Sequence, residues 1–172
     1  AGRSDLPPRF ANDEMRTRHG DHILALPNRA NDFALSPLRA RAEALWRDEA
    51  TVALAAAAYR AYRSPEGALV HGDVQGGNVL LTAKGPRLLD AEIAHVGDEA
   101  FDLGILLAHL VVAAAARGAE ASLRPAVTRT FEAYADARGR AQAPDFARAI
   151  RHGGVELVRR TLGAARVAAV AA

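Results

Sequence analysis

The chain has 172 residues, enough for one domain with a substantial core and too few to presume two. Half of the residues are hydrophobic and 24% are charged, an ordinary balance for a folded protein and far from that of disordered chains. The 22 cations against 20 anions give a net charge of +2, a weak basis for a nucleic-acid surface, and the absence of cysteine excludes disulfides, thiolate catalysis and Cys-ligated zinc. The first residues, AGRSDLPPRF, carry charges and prolines where a signal peptide has an apolar core, and no stretch reads as long and uniformly apolar enough to span a bilayer. The expectation is a cytoplasmic domain with no membrane or nucleic-acid partner.

Residues 1–35 are rich in Pro, Asn and Asp around one apolar island, HILALP, and read as an irregular approach segment. Residues 36–172 read as one helical lobe. Ser36 is placed to cap and Pro37 to start a long amphipathic helix over roughly 37–62, with Leu38, Leu45, Val52 and Tyr59 on one stripe and Trp46 packing in a groove. Ser64-Pro65 stops it. Three β-like runs follow, ALVH, NVLLT and RLLD, the last two joined by Ala83-Lys84-Gly85-Pro86, a turn by composition. From Glu99 the chain is apolar almost all round, the mark of a helix inside a core. Further helices are predicted over roughly 121–137 and 144–170, the second interrupted at Gly153-Gly154. The fold class is therefore α+β and mainly helical, with a small antiparallel hairpin near its middle.

Residues 69–94, LVHGDVQGGNVLLTAKGPRLLDAEIA, gather a His, two Asp, a Glu and an Asn beside apolar runs. Ionised carboxylates are costly next to buried apolar residues unless paired or metal-bound. If strands 78–82 and 87–90 pair about the Lys84-Gly85 turn, Asn78 meets Asp90 at the open end, and Glu92, two residues on, points the same way. Leu88, Leu89, Ile93 and Ala94 flank the two acids and argue against a solvated strand end. Asp73 sits among Gly72, Gly76 and Gly77 in the loop feeding the hairpin. Such an all-oxygen donor set suits Mg²⁺, and a carboxylate beside it can align an attacking hydroxyl in phosphoryl transfer. The spacing His71-x-Asp73-x-x-x-x-Asn78, followed by a hairpin and Asp90, is that of the protein-kinase catalytic loop. Asp102, on an apolar helix, has to find hydrogen-bond donors, and His95 and His109 read as ordinary surface or satisfied core residues.

The form HGD with DAE, in place of the protein-kinase versions, resembles the small-molecule kinases of the aminoglycoside phosphotransferase and choline kinase superfamily. Taken with NDEMRTRHGDHILALPNRAN, DAEIAHVGDEAFDLGILLAHL and GGVELVRRTLGAARV, it is similar to the 5-methylthioribose kinases over most of residues 11–168. The resemblance implies the C-terminal lobe of a protein-kinase-like fold, with ATP as co-substrate, Mg²⁺ as cofactor and a hydroxyl of a small sugar-like molecule as acceptor. Asp73 would be the catalytic base or aligner, Asp90 and Glu92 would hold Mg²⁺, and Asn78 would be a further metal or phosphate contact. His71 and Asp102 would be architectural, and the twin arginines Arg159 and Arg160 would face the substrate. The family's methylthioribose members generally carry Ser at the position of Asn78. Neither a Gly-rich phosphate loop nor a strand lysine is found, Lys84 lying in the hairpin turn, so the expectation is a C-terminal lobe without its nucleotide-binding lobe. Two other readings stand beside it: a metal-dependent hydrolase using His71, Asp73, Asp90 and Glu92 on two metals, and a catalytically incomplete lobe that binds ligand only.

Overall fold

The longest apolar run becomes the axis around which the other helices pack. In the computed structural model, which describes residues 6–167, the elements are α1 (Asp13–Gly20), α2 (Arg39–Arg47), α3 (Glu49–Arg63), β1 (Ala68–Val70), β2 (Val79–Thr82), β3 (Gly85–Leu88), β4 (His95–Gly97), α4 (Ala100–Arg117), α5 (Leu123–Arg138) and α6 (Phe146–Leu162). Asp98 caps α4, its Oδ1 accepting from the Ala100 N–H at 3.0 Å, and Gly118 in left-handed conformation ends it. By length and apolar composition α4 meets the requirement for crossing a bilayer, contrary to the reading of the sequence, yet Phe101, Leu103, Ile105 and Leu107 are packed inside the chain.

Helix α6 lies directly against α4. A Cβ on Gly104 would stand 2.4 Å from the Ala149 carbonyl oxygen, and one on Gly153 would stand 2.9 Å from that of Gly104. The glycine that the sequence suggested as a break is thus a close-approach point, and α6 runs through it uninterrupted to Leu162. The expected end at 170 is not reached, since residues 163–167 are not helical; residues 168–170 lie outside the described residues. One side of this pair meets Ile23, Leu24, Ala55, Ala58 and Tyr62, while the other meets Val127, Phe131 and Tyr134 of α5.

The single helix expected over 37–62 is two. Asp48 is extended (φ −77°, ψ 104°) and its carboxylate accepts from the Thr51 N–H at 2.9 Å, so it caps α3 where α2 ends. Ser36 makes no capping bond and lies inside a short 3₁₀ turn, Ser36–Leu38. The break undoes the anticipated stripe: Val52 is exposed, and Ala55, Ala58 and Tyr62 face the core. Trp46 does pack, its indole N–H donating to the Pro27 carbonyl at 3.0 Å.

The segment anticipated as irregular is helical from Asp13, continuing through a π turn, Asp21–Ala25, and a 3₁₀ turn, Leu26–Asn28. Its first turns, DEMRTRHG, have no apolar stripe to announce a helix. They dock instead through buried Arg16, which donates to the Tyr62 carbonyl (3.1 Å and 3.3 Å) and the Ser64 carbonyl (2.7 Å), and through Gly20 against the rings of Tyr59 and Tyr62.

The β structure comprises two antiparallel pairs. β1 pairs with β4, Val70 opposite His95, and β2 pairs with β3, Val79 opposite Leu88 and Thr82 opposite Gly85. β3 thus starts and stops two residues earlier than the sequence suggested. Leu80, Leu81, Leu88 and Leu89 are all exposed on this hairpin.

Candidate active site

The site grows from the loop between β1 and β2, which α4 fixes from below. The Asp102 carboxylate accepts from the backbone N–H groups of His71 (2.6 Å) and Gly72 (2.9 Å). Loss of water pushes the Asp102 carboxyl above its usual range, and the two amide donors oppose that rise. Gly72 has φ +92° and a Cβ there would meet Ile93 Cγ1 at 2.8 Å, so the loop presses against the segment that follows β3. The His71 ring is held at both ends: Nε2–H donates to the Leu89 carbonyl at 2.9 Å, and Nδ1 lies 3.3 Å from the Asp73 N–H. A carbonyl can only accept and an N–H can only donate, so the neutral Nε2–H tautomer is fixed. Both side chains bond the backbone of this loop and of its neighbour after β3. Both ring nitrogens of His71 are thus engaged by backbone groups.

Asp73 has two unlike oxygens. Oδ2 accepts from Gln75 Nε2 (2.7 Å) and Asn78 Nδ2 (2.9 Å), and Asn78 Nδ2 also reaches the Asp73 carbonyl at 2.9 Å. Oδ1 faces Arg160 Nη2 at 3.9 Å and accepts no hydrogen bond among the described residues. Asn78 uses its amide nitrogen on Asp73, so its side-chain oxygen remains available.

Asn78 does not oppose Asp90. The hairpin register puts Leu89 there, its N–H donating to the Asn78 carbonyl at 2.9 Å, and Asp90 follows with a left-handed φ of 63°. Alternation therefore does not carry from Asp90 to Glu92, since the chain turns at this point with Ala94 N–H bonded to the Ala91 carbonyl. Both acids are exposed, although their apolar flanks suggested shelter, because Leu88 and Leu89 are exposed and Ile93 alone is buried. Among the described residues neither carboxylate is hydrogen-bonded or ion-paired. Asn12, the other non-glycine residue with left-handed φ, ties this turn down: its Nδ2 donates to the carbonyls of Glu92 and Ala94, both at 3.1 Å.

Among the described residues no three His, Asp or Glu side chains gather as a metal-binding group. Mg²⁺ is commonly held by only one or two carboxylates plus substrate phosphates and water, and the hard oxygen donors Asp90, Glu92 and Asn78 Oδ1 fit that chemistry. The half-buried His19 of α1 feels this surroundings: burial lowers its pKa, Glu92 and Asp73 raise it, and Arg159 lowers it. Asp73, Glu92 and Arg159 thus lie within electrostatic range of one imidazole.

The twin arginines converge on a residue not singled out in the sequence. Glu156, fully buried on α6, accepts from Arg159 Nε (2.7 Å) and Nη2 (2.8 Å) and from Arg160 Nε (2.7 Å), and His109 Nε2 of α4 lies 3.3 Å away. Burial alone would raise its pKa; the hydrogen bonds from His109 and Arg159 and the charges of both arginines reverse this and hold it at about 2. Arg160 Nη2 also makes a longer contact, 3.4 Å, with Gln75 Oε1. The Gln75 amide is ordered by charge, its NH₂ on the Asp73 carboxylate and its oxygen toward the guanidinium. Glu156 stands three and four residues before the arginines, a helical pairing pattern present in VELVRR. Gln75, Asn12 and His19 had no comparable signal.

An α+β lobe with this loop, hairpin and acid pair is the frame of a phosphotransferase. The chain belongs to the APH phosphotransferase enzyme family, whose family model matches residues 3–152. It is similar to the methylthioribose kinase of Geobacillus kaustophilus, 29% identical over 95% of this chain and 47% of that protein. The methylthioribose kinases of Bacillus pumilus and Erwinia tasmaniensis are each 31% identical, over 80% and 78% of this chain and 40% of each relative. The chain spans about half the length of the curated relatives it matches.

Proposed function

We propose that this chain is the acceptor-side, C-terminal lobe of an ATP- and Mg²⁺-dependent small-molecule kinase that phosphorylates a hydroxyl of a sugar-like substrate, with 5-methylthioribose as the leading acceptor. The observation that carries the proposal is the asymmetry of Asp73: Oδ2 is fixed by Gln75 and Asn78, while Oδ1 accepts no hydrogen bond among the described residues and is free to receive a substrate hydroxyl. Asp73 is the group that orients that hydroxyl and takes its proton. Asp90, Glu92 and Asn78 Oδ1 are the residues that would hold Mg²⁺, which neutralises the phosphate charge of ATP when bound. Arg159 and Arg160 face the acceptor, Arg160 lying beside Asp73. The similarity to methylthioribose kinases supports the sugar acceptor.

The test is phosphoryl transfer from Mg-ATP to 5-methylthioribose and to a panel of other sugars and aminoglycosides, using this chain and any longer product of the same gene. Asp73→Asn is expected to lower transfer by about 10²–10⁴-fold with an unchanged thermal midpoint. Transfer retained by Asp73→Asn would remove its catalytic role. Hydrolysis of phosphoesters without nucleotide would favour the hydrolase reading, and acceptor binding without transfer by every form would leave a ligand-binding lobe.

A further inference from the structure

The twin arginines are flexible side chains near the end of α6, yet both are nearly enclosed, their side chains 13% and 11% exposed. Three guanidinium N–H groups from two residues meet one carboxylate at 2.7–2.8 Å. Arginine's planar fork makes such contacts directional, so one carboxylate fixes two guanidinium planes together. A second chain of contacts runs from Arg160 to Gln75 (3.4 Å) and from Gln75 to Asp73 Oδ2 (2.7 Å). Glu156 itself is fully buried and touches no open surface.

We propose that Glu156 is the positioning residue of the acceptor site: it sets the orientation of Arg159 and Arg160 toward the substrate. This rests on the acceptor-site reading above. Glu156 bonds no reacting group, so its removal acts through the arginines. Arg159 uses Nε and Nη2 on Glu156, which leaves Nη1 for the acceptor.

Two measurements test it. By nuclear magnetic resonance of arginine side chains, the Nε–H groups of Arg159 and Arg160, assigned through Arg159→Lys and Arg160→Lys, are expected to exchange slowly with water in the parent chain. They are expected to lose that protection in Glu156→Gln. By steady-state kinetics, Glu156→Gln is expected to raise the acceptor KM by about tenfold or more, the scale of a lost charged hydrogen bond, with little change in the KM for ATP. Should Glu156→Gln fail to fold, Glu156→Asp keeps the charge and shortens the reach, and is expected to give a smaller shift of the same kind in both readouts. Unchanged Nε–H protection, or an unchanged acceptor KM with only a lower thermal midpoint, would overturn the proposal. Transfer to no acceptor by this chain and by every longer product of its gene would instead strike at the proposed function, while the exchange measurement would still decide whether Glu156 holds the arginines.

Discussion

Asp102 under the β1–β2 loop and Glu156 under the twin arginines are both carboxylates withdrawn from water, and their pKa values move in opposite directions. Asp102 is met by two neutral backbone N–H groups, and its carboxyl rises above the usual range. Glu156 is met by two guanidinium groups and a histidine, and it falls to about 2. Neutral donors satisfy lone pairs without cancelling charge, whereas cations do both. The loop is therefore held by hydrogen bonds that survive protonation in part, and the arginine cluster by a charge that must stay in place.

The largest expected effect separates the two by substitution. Glu156→Gln leaves two enclosed guanidinium groups without their counter-charge and is expected to cost about 3–5 kcal/mol of unfolding free energy. Asp102→Asn removes a charge but keeps an acceptor oxygen, leaving one loop N–H unsatisfied, and is expected to cost about 1–3 kcal/mol. Urea titration of both variants compares them; an Asp102→Asn loss larger than that of Glu156→Gln would reverse the contrast.

The two regions also differed in how far the sequence disclosed them. His71, Asp73, Asn78 and Asp102 were legible because the loop's chemistry is local: spacing within eight residues names its members, and an acid on an apolar helix must find donors. The glutamate anchor was not, although its spacing to Arg159 and Arg160 was in view, because helical Glu–Arg pairs usually lie in solvent and only the packing of α4 on α6 buries this one. The helical α1 was hidden for the converse reason, since it docks through an arginine and a glycine and offers no apolar stripe. The hairpin was legible in outline but not in register. Its apolar residues suggested a strand reaching Asp90, whereas the two-residue turn at Ala83-Lys84 pairs Thr82 with Gly85 and ends the ladder at Leu88.

Acid titration sharpens the comparison next. The Glu156 pKa is lowered in the fold from an ordinary 4.5 to about 2, so its stabilisation is fully present above pH 4.5 and is lost as the pH falls toward 2. The loss over that window is about 3 kcal/mol at one pKa unit per 1.36 kcal/mol. Asp102 has the opposite sign: its folded pKa is raised, so protonation on acidification relieves a penalty. Buried His95 loses stability earlier, between its ordinary 6.5 and the about 4 to which burial lowers it, because the unfolded chain takes up the proton first. Stability measured from pH 8 to pH 2 is thus expected to fall in two stages. Glu156→Gln is expected to shrink the lower stage, leaving the part due to Asp98, whose carboxyl is also held below its usual range, and Asp102→Asn to leave both stages; loss of the lower stage in Asp102→Asn would reassign it.

The smallest effect asks whether the two regions form one network. Gln75 is their bridge, but its contact with Arg160 is long at 3.4 Å, and the direct approach of Arg160 to Asp73 is 3.9 Å. Contacts of that length contribute little to stability. Gln75→Ala is therefore expected to cost about 0.5–1.5 kcal/mol, chiefly from its bond to Asp73. In a double-mutant cycle with Arg160→Lys, the coupling is expected to stay under about 0.5 kcal/mol. The same Gln75→Ala change is expected to lower turnover more than it lowers stability, because it removes one of the two donors that fix Oδ2 of Asp73 and leaves only Asn78 to hold the carboxylate. A coupling of several kcal/mol would mean that loop and arginines fold as a unit, and the contrast between a neutral and a charged anchor would then describe one site rather than two.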